Sequence, residues 1–198
     1  MSSIVKRLSD QSIAHPPKWL PDNIMYETIM GSEAYRVSSD DSDRDIYGFC
    51  IPPKDDVFPH LRGEIYGFGE QHARFNQYQE HHLIDPGPQR NYDITIYSIV
   101  KYFQLCMENN PNMIDSLFTP RTCIIHSTSI GEMVRERRRM FLHKGSWHKF
   151  KGYAYSSLTK IRSKGFIRFV KFCRDKEIPE SVTLEEVRNE IKKRIAES

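Results

Sequence analysis

Three aspartates and one glycine-serine turn carry the chemistry that this sequence can perform. Asp43 and Asp45 are separated by a single residue. On a strand both side chains would leave the same face, with Cα atoms within about 7 Å of each other. That spacing suits two carboxylates that share one Mg²⁺ ion or bridge a pair of ions about 4 Å apart. Asp93 opens another β-prone run, Asp93 to Tyr97, and an adjacent strand would present it beside the other two. Hard oxygen ligands of this kind select Mg²⁺ or Mn²⁺ over zinc. Gly31-Ser32 supplies the complementary half of such a site. Glycine lets the backbone approach a phosphate closely, and the Ser32 hydroxyl can donate to a phosphate oxygen. The same acidic run, Asp40, Asp41, Asp43 and Asp45, also fits a solvated loop built from Asx turns.

These residues need elements to hold them. Residues 1 to 22 read as a short helix and a linker broken at Pro16-Pro17, and residues 23 to 30 as a first strand stopped by Gly31. Glu33 to Val37 has room for about one helical turn, and residues 43 to 52 return as a strand. Residues 54 to 90 are rich in Pro and Gly and read as a long insertion or hairpin region. Within it, the neighbours His81 and His82 would face opposite ways on a strand, which places them at the surface. The spacing of Ile96, Ile99, Val100, Phe103 and Met107 predicts a helix with that apolar face, ended by Asn109-Asn110-Pro111. A short helix with Met113, Ile114, Leu117 and Phe118 follows, then a strand over residues 122 to 126. Helices are expected from Ser127 to Leu142, from Trp147 to Lys164 with Phe166 to Cys173 extending or following it, and from Thr183 to Ala196 behind a capping box. Arg135, Arg137, Arg138 and Arg139 read as a solvated helix face, and Cys106 and Cys123 as core.

Strands in the first half and helices in the second describe an α+β fold. A chain of 198 residues holds one well-buried domain with a helical appendage. We place the core with an N-terminal extension at 1–126 and a helical, substrate-binding region at 127–198. Residues 1 to 120 carry 10 Lys/Arg against 17 Asp/Glu, and residues 121 to 198 carry 19 against 9. An acidic half suits a divalent cation and a basic half suits a polyanion. No run is long enough to span a membrane. Four cysteines without CxxC spacing point to a reducing, cytoplasmic setting.

The run Gly31-Ser32-x-Ala34-Tyr35, then Ser42-Asp43-x-Asp45-Ile46-x-Gly48 and Ile51-Pro52-Pro53, resembles the nucleotidyltransferases of the DNA polymerase beta superfamily. Within it, the chain is most similar to the RNA repair pathway DNA polymerase beta family of bacteria and phages. The likeness continues through Asp93-Ile-x-Ile-Tyr97, Lys101-Tyr-Phe103, Asn110-Pro111-Asn112 and Gly152-Tyr153-Ala154. The resemblance implies a mixed sheet flanked by helices, with Asp43, Asp45 and Asp93 as catalytic metal ligands. It also implies a nucleotide-binding set of Gly31, Ser32 and Ser42, with Arg36 standing where the family commonly has glycine. The implied reaction is Mg²⁺- or Mn²⁺-dependent transfer of a nucleotidyl group from an NTP, such as ATP, to a hydroxyl of RNA or tRNA in repair. Adenylylation of a protein or small molecule would use the same site. A catalytically silent nucleic-acid or protein-binding module is the reading from a different class.

Overall fold

The structure is a computed structural model that describes residues 3–35, 43–87 and 90–175, with the backbone alone beyond residue 160. The chain divides into two compact units that meet between Ser146 and Trp147. The expected helix over residues 183 to 196, like Arg36 and Ser42, lies outside the described residues.

Helix α1 (Ile4–Asp10) starts where Ser3 caps it, the Ser3 Oγ accepting from the Lys6 amide at 3.1 Å. Its buried residues Ile4, Val5 and Leu8 join a core with Leu20, Ile24, Ile46, Ile94 and Ile96. Strand β1 (Ile24–Ile29) leads through the turn helix α2 (Gly31–Ala34) to β2 (Arg44–Cys50). The short helix α3 (Lys54–Val57) follows, and then β3 (Gln77–Asp85) and β4 (Arg90–Ser98). Thus the Pro- and Gly-rich region contains a nine-residue strand, hairpinned to β4. Alternation at Gln77, Gln79 and His81 marks β3, but it is an alternation of polar residues at an exposed edge and gives no apolar period.

Helix α4 (Ile99–Met107) begins at the Ser98 cap, so Ile96 belongs to the strand and not to the helix. Its buried side chains are Tyr102 and Cys106, whereas Val100 and Met107 are 63% and 60% exposed. The apolar stripe expected from spacing therefore lies rotated from the true inner face. Tyr102 can be inside because its hydroxyl pairs with Ser116 Oγ at 2.5 Å, on helix α5 (Pro111–Phe118). Strand β5 (Ile124–Ser127) and helix α6 (Ser129–Glu136) complete the layers of the first unit. Arg135 on α6 is buried rather than solvated; it donates to Tyr26 Oη at 3.0 Å and to the Thr119 carbonyl. Helix α7 (Gly145–Asp175) begins two residues before the boundary between the units, and from Trp147 on it is the described part of the second unit.

The sheet has five strands in the order β3-β4-β2-β1-β5. Only the β2–β4 pair is parallel, and the other three are antiparallel, which makes the sheet mixed and the fold α+β. Among the described residues no helix is long and apolar enough to cross a membrane, and Cys50, Cys106 and Cys123 are buried thiols.

Candidate active site

The parallel pair at the centre of the sheet fixes the site. In its register Asp45 lies opposite Asp93, and Arg44 opposite Tyr92. Paired residues on neighbouring strands sit about 5 Å apart and project to the same side. Asp93 is the fourth residue of β4 rather than the first, because the strand starts at Arg90. Asp43 stands one position ahead of β2. Both Asp43 and Asp45 are half-buried.

Charge confirms the closeness of the three groups. The Asp45 carboxyl is raised above the ordinary carboxylate range by burial first, and then by the negative charges of Asp93 and Asp43; His81 opposes the rise. A cation placed among these oxygens would remove the repulsion. As the side chains stand, among the described residues no three His, Cys, Asp or Glu groups converge as metal ligands. Both Asp93 oxygens are turned toward β3. Its Oδ1 accepts from the His82 amide at 2.8 Å and its Oδ2 lies 3.1 Å from His81 Nδ1.

The glycine turn abuts Asp45. Gly31 has φ of +65°, a left-handed conformation, and a Cβ there would fall 2.0 Å from Asp45 Oδ2. The Met30 amide donates to the Asp45 carbonyl at 2.8 Å, tying the end of β1 to β2 just before the turn. Ser32 follows on α2, half-buried. The turn is clamped from the other side by Glu33. Its carboxylate accepts from Arg44 Nε at 2.7 Å and from Arg44 Nη2 at 2.5 Å, with Arg90 Nη1 at 3.7 Å. A paired guanidinium-carboxylate contact of this kind fixes orientation as well as distance.

Gly31, Asp45 and Asp93 are thus brought together, with Asp43 near enough to act on Asp45 by charge. Two participants escape the sequence reading. Glu33 and Arg44 carry no pattern of their own, and their pairing exists only after the turn has formed. His81 and His82 were expected on opposite faces at the surface. Both are exposed as expected, but a register shift between Glu80 and Leu83 breaks the alternation, with His82 at φ of +55°, so that the His81 ring and the His82 backbone amide both reach Asp93.

The arrangement of carboxylates on adjacent parallel strands, with Asp45 packed against a glycine turn, can hold a polyphosphate and its counter-ion against a reacting hydroxyl. No curated protein matches the chain. A profile of the family described as "RNA repair pathway DNA polymerase beta family" matches residues 3–173. On a match that spans the sheet, the turn and most of α7, the chain belongs to the RNA repair pathway DNA polymerase beta family.

Proposed function

We propose that this protein is a nucleotidyltransferase that moves a nucleotidyl group from an NTP to a hydroxyl of RNA or tRNA during repair, in the cytoplasm. The observation that carries the reading is the direct pairing of Asp45 with Asp93 across parallel strands, with Gly31 against the Asp45 carboxylate. The family description supports the same chemistry. The donor set, carboxylate oxygens around an Asp45 raised by burial and then by its acidic neighbours, fits Mg²⁺ or Mn²⁺ held by Asp43, Asp45 and Asp93. When bound, such an ion neutralises the triphosphate and lowers the pKa of the attacking hydroxyl.

The chain's own residues do the rest. The Gly31 turn, which Asp45 packs against, lies beside the triphosphate, and Ser32 donates to a phosphate oxygen. Arg36 and Ser42 extend this set. Asp93 orients the acceptor hydroxyl and takes its proton. A bond forms from the acceptor oxygen to the α-phosphorus as the bond to the leaving pyrophosphate breaks. Residues 127–198, with their excess of Lys and Arg, hold the acceptor backbone.

The test incubates the protein with each α-labelled NTP, Mg²⁺ or Mn²⁺, and separate pools of RNA, DNA, protein and small hydroxyl compounds. Label is expected on RNA, and Asp43→Ala and Asp45→Asn are expected to remove it. Label on protein or a small molecule alone would replace RNA with that acceptor. Absence of any transfer, with no Mn²⁺ binding, would leave a non-catalytic binding module.

A further inference from the structure

The edge strand β3 holds Asp93 through a chain of side chains that occupy alternate positions. Gln77, Gln79 and His81 are at i, i+2 and i+4, so up to the register shift they share one face. Gln77 Nε2 donates to Gln79 Oε1 at 3.0 Å. That bond turns the Gln79 amide so that its NH₂ faces His81, 2.7 Å from His81 Nε2. An amide NH₂ can only donate, so His81 Nε2 accepts and the ring proton sits on Nδ1. Nδ1 is the atom 3.1 Å from Asp93 Oδ2. The row of side chains therefore runs from Gln77 through Gln79 and His81 to the Asp93 carboxylate.

The backbone contributes the second contact. The shift between Glu80 and Leu83 places His82 at φ of +55°, a left-handed conformation that strains an L residue. This conformation delivers the His82 amide to Asp93 Oδ1 at 2.8 Å. Strain held beside a candidate site, and a bulge that re-aims groups on an edge strand, have a common explanation when both act on one carboxylate.

We infer that His81, oriented by Gln79 and Gln77, is a positioning residue that fixes the Asp93 carboxylate for metal binding and nucleotidyl transfer. The inference rests on the role given to Asp93 above. It reaches past that role by naming groups that act on Asp93 from the neighbouring strand. Hydrogen bonds to a ligating carboxylate typically control affinity and rate by about 10- to 100-fold.

The full chain is compared with His81→Ala, His81→Asn, Gln79→Leu and Asp93→Asn. Free Mn²⁺ is read by its paramagnetic resonance signal, and transfer by kcat and by KM for the NTP. His81→Ala is expected to weaken Mn²⁺ binding and to lower kcat, each by about 10- to 100-fold, with KM for the NTP little changed. Gln79→Leu should act in the same direction with a smaller effect. His81→Asn should restore most of both, since its amide NH₂ can stand where Nδ1–H does. The three β3 side chains are exposed, so the melting temperature should stay level. Wild-type Mn²⁺ affinity and kcat in His81→Ala would overturn the inference, as would losses that Asn fails to rescue. If Asp93→Asn transfers normally, the parent reading falls and takes the inference with it. If Asp93→Asn is dead while His81→Ala is unchanged, the inference alone fails. Mn²⁺ binding is read without turnover, so it judges His81 independently of the acceptor.

Discussion

Among the described residues near the site, Gly31 is the one where backbone conformation and space impose the same residue. At φ of +65° any L side chain is strained, and a Cβ would sit 2.0 Å from Asp45 Oδ2. Gly31→Ala therefore has two effects that can be measured apart. The strain lowers stability by about 1–2 kcal/mol, seen in urea unfolding. The collision moves the Asp45 carboxylate, and a displacement on the order of 1 Å costs about 10²-fold in turnover. A variant that is destabilised yet fully active would show that Asp45 has no part in the chemistry. The closeness of Gly31, Asp45 and Asp93 was legible in the sequence because each residue stands in or at the end of a β-prone run. His81 was not, because the rule of alternating faces assumes an unbroken strand. The bulge that violates it depends on pairing with β4, which no local pattern records.

Helices and strands declare themselves when an apolar period decides their fate, and mislead when polar partners do. The start of α4, at the Ser98 cap, and its inner face at Tyr102 and Cys106 depend on Ser116 lying across from them. The docking of α1 on β1 is a second case. Glu27, in the middle of β1 and wholly buried, accepts from Ser3 Oγ at 2.9 Å and from the Ile4 and Val5 amides at 3.0 and 3.2 Å. It thereby satisfies the free amides of the first turn of α1. Burial raises its carboxyl above the ordinary value of 4.5, against the pull of those three donors and of His126. A raised acid binds its proton more tightly when folded. Its contribution is thus fully present below pH 4.5 and is lost as pH rises through the folded value. Glu27→Gln cannot titrate. The stability of the natural protein minus that of Glu27→Gln should accordingly decline as pH rises from 4.5, measured by denaturant unfolding at a series of pH values. A difference that grows with pH would mean that the donors outweigh burial and hold the carboxylate ionised.

Charge divides the molecule more sharply than secondary structure does. From Arg137 to Arg174 the sequence has 12 Lys and Arg and no Asp or Glu. The division into strands and then helices was legible because helical periods persist through the second half. The compact unit boundary at Ser146 was hidden, since the 3-10 turn Arg138–Phe141 packs with α5 and α6 in the first unit. Helix α7, with 31 residues, extends about 46 Å. Lys149, Lys151 and Lys160 are exposed on it, beside Trp147 and Tyr155 at 69% and 74% exposure. Cations at this density have no acidic partner within their own segment, and exposed aromatic rings offer faces on which unpaired bases stack. If this helix holds the acceptor, binding must release counter-ions, and its logarithm must fall linearly with the logarithm of salt. Each phosphate contact on a single strand contributes a slope of about 0.7. Replacing Lys149, Lys151 and Lys160 together by Ala should reduce that slope by up to about 2. Affinity for single-stranded RNA should fall most at low salt, where the natural protein binds best. The substitutions lie on exposed positions of the second unit, so unfolding of the sheet unit should be unchanged. An unaltered salt slope in the triple variant would mean that the acceptor lies elsewhere, and that these lysines serve only to keep the helix solvated.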